Sequence, residues 1–274
     1  MLKTIRTISL FAALLPAIVL AQANKTELIN QIIEQSGMES SLDSLPAQFQ
    51  AQALQQKPYA KDPQAVETVM QILTDNFDKH SIQQAMVATF DKNMSLSELQ
   101  QVKTWLDSEL GSEIATAEAQ ASNPAIMQEV QVFAASFQTN PPAQDRITAI
   151  QNFVQKSKLV ESTLNMVEQI MRSTLTSIEQ FNEHPNTDKV DQTVNKVKGM
   201  MEQMLWQQMI LMSHYTYQDL SVAEINQYTD FLTSDTGKKY LNTSISGVTA
   251  AISQLMNKSM PQIKQAAQAH KQES

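Results

Sequence analysis

The chain has 274 residues, with 20 basic and 28 acidic side chains, a net charge of −8 and no cysteine. The acid excess leaves too little positive charge to neutralise a phosphate backbone, which argues against nucleic acid as a partner. The missing cysteine excludes a disulfide framework, thiolate zinc sites, a lipoprotein anchor and a cysteine nucleophile.

The first 23 residues read as a signal peptide: basic Lys3 and Arg6, an apolar run from Ile8 to Leu20, then Ala21-Gln22-Ala23. Cleavage is expected after Ala23, with Ala21 as the second candidate. Losing Lys3 and Arg6 leaves 18 basic against 28 acidic residues, a mature charge of −10. The mature chain has no other run apolar enough to span a bilayer. It is expected to be all-α. Five glycines in 274 residues, against a usual share of about 7%, cannot supply the turns of a β-sandwich or barrel. Gln, Ala, Met, Leu, Glu and Lys are helix formers.

Caps and periodicity place helices at Lys25–Ala53, Pro63–Phe77, Ser81–Asn93, Ser95–Asp107 and Glu109–Phe137, the last with a break at Pro124. The non-helical stretch Asn140–Gln144, with two consecutive prolines, ends this half. Further helices are expected at Ala143–Glu183, Thr187–Ser213, Ser221–Thr233 and Asp235–Ala269, with a kink at Pro261. Loops fall at Tyr59–Pro63 and His184–Asn186.

These halves read as two tandem helical repeats of about 120 residues, 24–140 and 141–274, related by a pseudo-twofold. MSLSELQQVKTWLDSELGSEI (Met94–Ile114) aligns without a gap on LSVAEINQYTDFLTSDTGKKY (Leu220–Tyr240), at an offset of 126. A weaker echo at an offset of 121 pairs Ile29 with Ile150, Ile32 with Phe153, Ile33 with Val154 and Ser36 with Ser157.

Local physics accounts for the shared motif. Ser95/Glu98 and Ser221/Glu224 are Ser-x-x-Glu capping boxes, and Met94/Leu99 and Leu220/Ile225 form hydrophobic staples around them. Ser108 and Ser234 start the next helix. Gly111 and Gly237 then mark close approach of a neighbouring helix or ring. The motif predicts helix, sharp corner, helix.

Leu220, Ser221, Glu224, Ile225, Phe231, Leu232, Ser234, Gly237 and Lys238, with Tyr215 or Tyr217 upstream, resemble the bacterial domain of unknown function 2059. The first copy departs from that pattern, with Trp105 for the Phe and Ser112 after the glycine. The resemblance implies an exported, helical, periplasmic protein and no particular reaction.

Candidate chemistry is sparse. Asp235-Thr236-Gly237 matches an aspartic-protease triplet, but the aligned residues are Glu109-Leu110-Gly111, so no second triplet exists. Gly237-Lys238 lacks the earlier glycine and the Ser/Thr of a phosphate loop. None of His80, His184, His214 and His270 forms a metal-binding pair, and surface or capping roles are expected for them. Lys264, His270 and Lys271 suit a helix C-terminus, or a thin anionic-membrane contact. No cofactor or metal set is recognisable.

The segment Gly199–Tyr215 is rich in methionine. Met201, Met204, Leu205, Met209 and Met212 read first as one core-facing stripe. The alternatives are an apolar groove for a lipid, peptide or partner protein, and a Cu(I) site with His214 nearby. The expected function is a non-enzymatic binding or interaction module. The competing reading is a hydrolase whose residues are dispersed beyond recognition.

Overall fold

The computed structural model describes the backbone of residues 14–60, 62–179 and 186–273, and side chains from residue 24 onward except 138 and 270–273. Most of the expected signal peptide, the expected helix end at 180–183, the His184–Pro185 stretch and the His270 and Lys271 side chains lie outside the described residues.

Among the described residues every regular element is helical, as the composition predicts. The order is α1 (Leu14–Gln35), α2 (Met38–Asp43), α3 (Leu45–Gln56), α4 (Pro63–Asp75), α5 (Lys79–Asn93), α6 (Leu96–Leu106), α7 (Glu109–Ala121), α8 (Met127–Thr139), α9 (Gln144–Lys156), α10 (Leu159–Glu179), α11 (Thr187–Thr216), α12 (Val222–Thr233) and α13 (Asp235–Glu273). Short 3-10 turns occupy Lys57–Tyr59 and Pro124–Ile126.

Two expected long helices are broken. Lys25–Ala53 divides at Gly37, whose φ is 73°, and Ala143–Glu183 divides at Lys158, whose φ is 57°. At each break a serine amide closes the last helical turn, Ser36 N–H onto the Ile32 carbonyl and Ser157 N–H onto the Phe153 carbonyl, both at 3.0 Å. A left-handed residue then turns the chain. Glycine does this without strain; lysine incurs a cost of about 1 kcal/mol. α5 starts earlier than expected because Asp78, not a residue nearer Ser81, is its N-cap, accepting from the His80 N–H. The break at Pro124 is present, with Asn123 capping the 3-10 turn. α13 continues through Pro261 for 39 residues.

Both capping boxes form. Ser95 Oγ accepts from the Glu98 N–H at 3.3 Å, while Glu98 Oε2 accepts from the Ser95 N–H at 2.7 Å. Ser221 and Glu224 repeat the pair at the same two distances.

The apolar faces make two cores. The first gathers Ile29, Ile32 and Ile33 of α1, Met86 and Phe90 of α5, and Leu99 and Val102 of α6. The second gathers Ile150, Phe153 and Val154 of α9, Leu205 of α11, and Ile225, Tyr228 and Leu232 of α12. Each core borrows from the other half of the chain. Ala251 of α13 is fully buried in the first, and Ile114 of α7 in the second. The most extensive helix contact is α13 on α5. A Cβ at Gly247 of α13 would stand 2.7 Å from the Met86 sulfur, so a small residue lets this crossing close up.

Candidate functional site

Two places collect side chains with chemical potential, and both touch the second core. The first is the cleft where the α9–α10 break faces α11. Val154, Val160 and Leu164 form its apolar part, Gln155 and Asn165 add amides, and Lys158, Glu161, Lys198, Glu202 and Trp206 complete its lining, around about 460 Å³ of space. Its charges are partly paired: Lys198 Nζ reaches Glu168 Oε2 at 2.7 Å, and Lys158 Nζ reaches Glu161 Oε2 at 3.3 Å. Hydrogen bonds from Lys198 and then Arg172 hold the Glu168 carboxyl below the usual range. From α11 the lining residues are 198, 202 and 206, one face at i, i+4, i+8.

The methionine segment divides around this face. Leu205 is buried in the second core, Met201 and Met209 pack partly buried against it, and Met212 is half-buried. Met204 is 55% exposed and Met200 is 69% exposed. At about 100° per residue these two lie on the flank of α11 opposite Glu202 and Trp206. The five residues expected as one stripe therefore serve different surroundings, and none of them lines the cleft.

The second place lies where α7 meets α12. Glu118 Oε1 accepts hydroxyl hydrogen bonds from Tyr217 at 2.7 Å and Tyr228 at 2.8 Å. The residue as a whole is half-buried, with its carboxyl at the enclosed end. Among the described residues it has no ion-pair partner. Burial pushes the carboxyl pKa up, and the two tyrosine hydroxyls oppose that by stabilising the anion. Burial, reinforced by the Glu118 charge, drives both tyrosine pKa values well above normal. Aromatic rings wall the network: Phe153 lies 5.3 Å from Tyr217 and 5.4 Å from Tyr228, and Trp105 stacks on Tyr228 at 6.0 Å and 7°. The Glu118 network lines no part of the α11 cleft.

Sequence reading missed this network. Glu118 and Tyr217 fall outside the 21-residue motif, and Tyr228 was visible only as an apolar position. A signal was present: Gly111, Ile114, Ala115 and Glu118 share one helical face, so the acid stands in the buried phase of α7.

The motif residues have structural roles. Ser108 Oγ accepts from the Gly111 N–H at 3.1 Å and Ser234 Oγ from the Gly237 N–H at 3.0 Å. The close approach at each glycine is of a backbone carbonyl from the neighbouring helix that ends at the corner, α6 or α12, and not of a ring. A Cβ at Gly111 would lie 2.0 Å from the Trp105 carbonyl oxygen, and one at Gly237 1.9 Å from that of Phe231. Glu98 also takes Lys239 Nζ, at 2.8 Å; this contact and then Ser95 lower its pKa to about 2. Asp235 and Lys238 are exposed at the start of α13.

His214 departs from the expected surface or capping role. It is 1% exposed, at the end of α11 where α8 covers it, and neither ring nitrogen has a hydrogen-bond partner among the described residues. Among the described residues no three His, Asp or Glu side chains are grouped to hold a metal ion, and no helix is long and apolar enough to cross a membrane. No protein-family model, no curated protein and no solved structure matches the chain.

Proposed function

We propose that the protein is an exported, periplasmic, non-enzymatic binding module that takes a peptide, a lipid or a segment of a partner protein into the cleft between the α9–α10 break and α11. The observation that carries this reading is the cleft's composition. An apolar floor of Val154, Val160 and Leu164 lies beside the exposed indole of Trp206, with lysine, glutamate and amide side chains completing the lining. A site of this kind holds an apolar segment and orients its polar ends.

The module is proposed to be two diverged copies of one unit, similar to the bacterial domain of unknown function 2059. Support comes from paired details: the capping boxes at Ser95 and Ser221, the backbone contacts at Gly111 and Gly237, and positive φ at Gly37 and Lys158, each one residue past an aligned serine. Export rests on residues 1–23 of the sequence.

Native mass spectrometry of the protein purified from its own cell envelope tests the reading, together with Trp206 emission in a Trp105→Phe variant, where Trp206 is the sole indole. A co-purifying peptide, lipid or polypeptide that shifts Trp206 emission when added back is the expected result. Bare protein together with unchanged Trp206 emission would overturn it.

A further inference from the structure

The buried imidazole of His214 and the helix that covers it stand apart from the cleft. α8 is attached to the rest of the fold mainly through rings. Phe137 meets the His214 ring edge-on at 4.7 Å, and Phe133 meets Tyr215 edge-on at 5.5 Å. One polar contact joins them, from the Tyr215 hydroxyl to Glu129 Oε2 at 2.9 Å. Val130 is buried, whereas Met127 is 51% exposed and Val132 66% exposed. Such a helix has little holding it beyond this aromatic seam, and sparse packing marks segments that open before the rest.

His214 is the weak point of the seam. Its two nitrogens lie buried with no protein partner among the described residues, which is costly even for the neutral ring. A protonated ring there would be a buried cation without a counter-charge. The charged groups around it offer no relief. From α9, the Arg146 guanidinium approaches and is held by the carbonyls of Leu220, at 2.6 Å, and Tyr217. From α8, Glu129 is engaged by Tyr215. From α7, Glu118 is engaged by Tyr217 and Tyr228. Farther along α11, away from His214, Glu168 of α10 is engaged by Lys198 and Arg172.

We infer that α8 is an acid-released latch: protonation of His214 undocks Met127–Thr139 from the end of α11 and uncovers the Phe133 and Phe137 face, while the two cores stay folded.

The sign follows from linkage. Burial, and then the Arg146 charge, lower the His214 pKa to about 4, against about 6.5 for the ring in water. The closed form therefore binds fewer protons than the open form between those values, and acidification favours opening. With these two values, the open population of α8 rises by about 30-fold between pH 7.5 and pH 5.

Amide hydrogen exchange of the full chain, corrected for the intrinsic pH dependence of exchange, reads this directly. The expected result is a rise of roughly that size confined to α8 peptides, with α5 and α12 peptides unchanged. The rise should vanish in His214→Leu and persist in Glu129→Gln. No rise in the wild type overturns the inference. So does an equal rise in His214→Leu, or loss of the rise in Glu129→Gln, which would make Glu129 the sensor. If His214→Leu does not fold, an NMR titration of His214 in the wild type decides. A pKa well below that of free histidine supports the latch, and one near 6.5 overturns it.

Discussion

At the α6–α7 corner, Ser108 donates its hydroxyl to the Trp105 carbonyl at 2.5 Å, and its Oγ accepts from the Gly111 N–H. At the α12–α13 corner, Ser234 makes the same bonds to Phe231, at 2.6 Å, and to Gly237. The surroundings differ. Thr236 and Lys239 of the second corner reach across to Gln101, at 2.6 Å, and to Glu98 on α6. Their counterparts do not repeat this: Leu110 packs against the second core and Glu113 is exposed. The helix after the first corner stops at Ala121, whereas the helix after the second runs on to Glu273 and lies along α5. A serine and a glycine are enough to turn the backbone; what the new helix then meets decides how far it continues.

The largest expected effect tests whether the two corners are equivalent. Any side chain at Gly111 or Gly237 drives a Cβ into a backbone carbonyl that cannot rotate away. Gly237→Ala and Gly111→Ala should each cost about 3 kcal/mol or more. Gly199→Ala is the control. Nothing lies within 4 Å of its Cβ position, so this exposed helical site should gain up to about 1 kcal/mol. Urea midpoints of the three variants check all of this. Tolerance at one corner glycine alone would show that the corners are not the same device.

Next comes Glu118, which breaks the comparison. Its counterpart at the 126 offset is Ser244, a neutral side chain bonded to the Tyr240 carbonyl at 2.9 Å. A raised carboxyl pKa means the folded state binds more protons than the unfolded chain once the pH exceeds the unfolded value of 4.5. Glu118 therefore subtracts stability as pH rises from there through its folded pKa. Glu118→Gln removes the charge and keeps an oxygen for both tyrosine hydroxyls. Its stability relative to wild type should increase as pH rises from 4.5 to 8. Ser244→Ala should show no such trend. Chemical denaturation at several pH values separates them, and a flat difference for Glu118→Gln would mean the carboxyl is not desolvated. The His214 contribution has the opposite sign, since stability is lost as pH falls from about 6.5 toward about 4. Subtracting wild type from variant at each pH isolates Glu118.

What could be read in advance was local chemistry. Ser-x-x-Glu with flanking apolar residues specifies a helix start whatever packs on it, and a serine followed three residues later by glycine specifies a corner. The break at Lys158 was not readable. Lysine is a strong helix former, so nothing near Lys158 announces a positive φ. At Gly37 the glycine is itself a helix-stop signal, and a Cβ there would in addition stand 2.8 Å from the Ala119 Cβ of α7. The methionine segment was half readable. Periodicity placed Met201, Leu205 and Met209 toward the core but did not separate Met204, which sits at the margin of that phase and is exposed. Glu118 and His214 are polar residues in apolar phases, where periodicity predicts burial and residue type predicts exposure; only the structure shows which prevailed.

The capping boxes bring the corners back together, with a small difference. Ser221→Ala and Ser95→Ala should each cost about 1 kcal/mol. Glu98 would still have Lys239 after the loss of Ser95, whereas among the described residues Glu224 is paired with no cation. Lys239→Met should then cost less than about 1 kcal/mol alone, as expected for a solvent-exposed ion pair, and should deepen the effect of Ser95→Ala but not that of Ser221→Ala. A double-mutant cycle by thermal denaturation measures this; equal coupling to both serines would remove the asymmetry.

The smallest expected effect concerns the two breaks. Gly37 and Lys158 do the same work, but only glycine does it without strain. Lys158→Gly should stabilise the fold by about 0.5–1 kcal/mol, the relief of left-handed strain less the greater freedom of glycine in the unfolded chain. The ion pair it gives up is exposed, at 68% and 62% for Lys158 and Glu161, and so contributes little. A lysine standing where glycine fits better also bears on the cleft, because Lys158 is part of its lining. The glycine variant should be more stable in urea and weaker at holding whatever shifts Trp206 emission. A gain in stability with binding untouched would leave the lysine without a role in the cleft, and a loss of stability would mean that the α9–α10 break is held by more than its backbone.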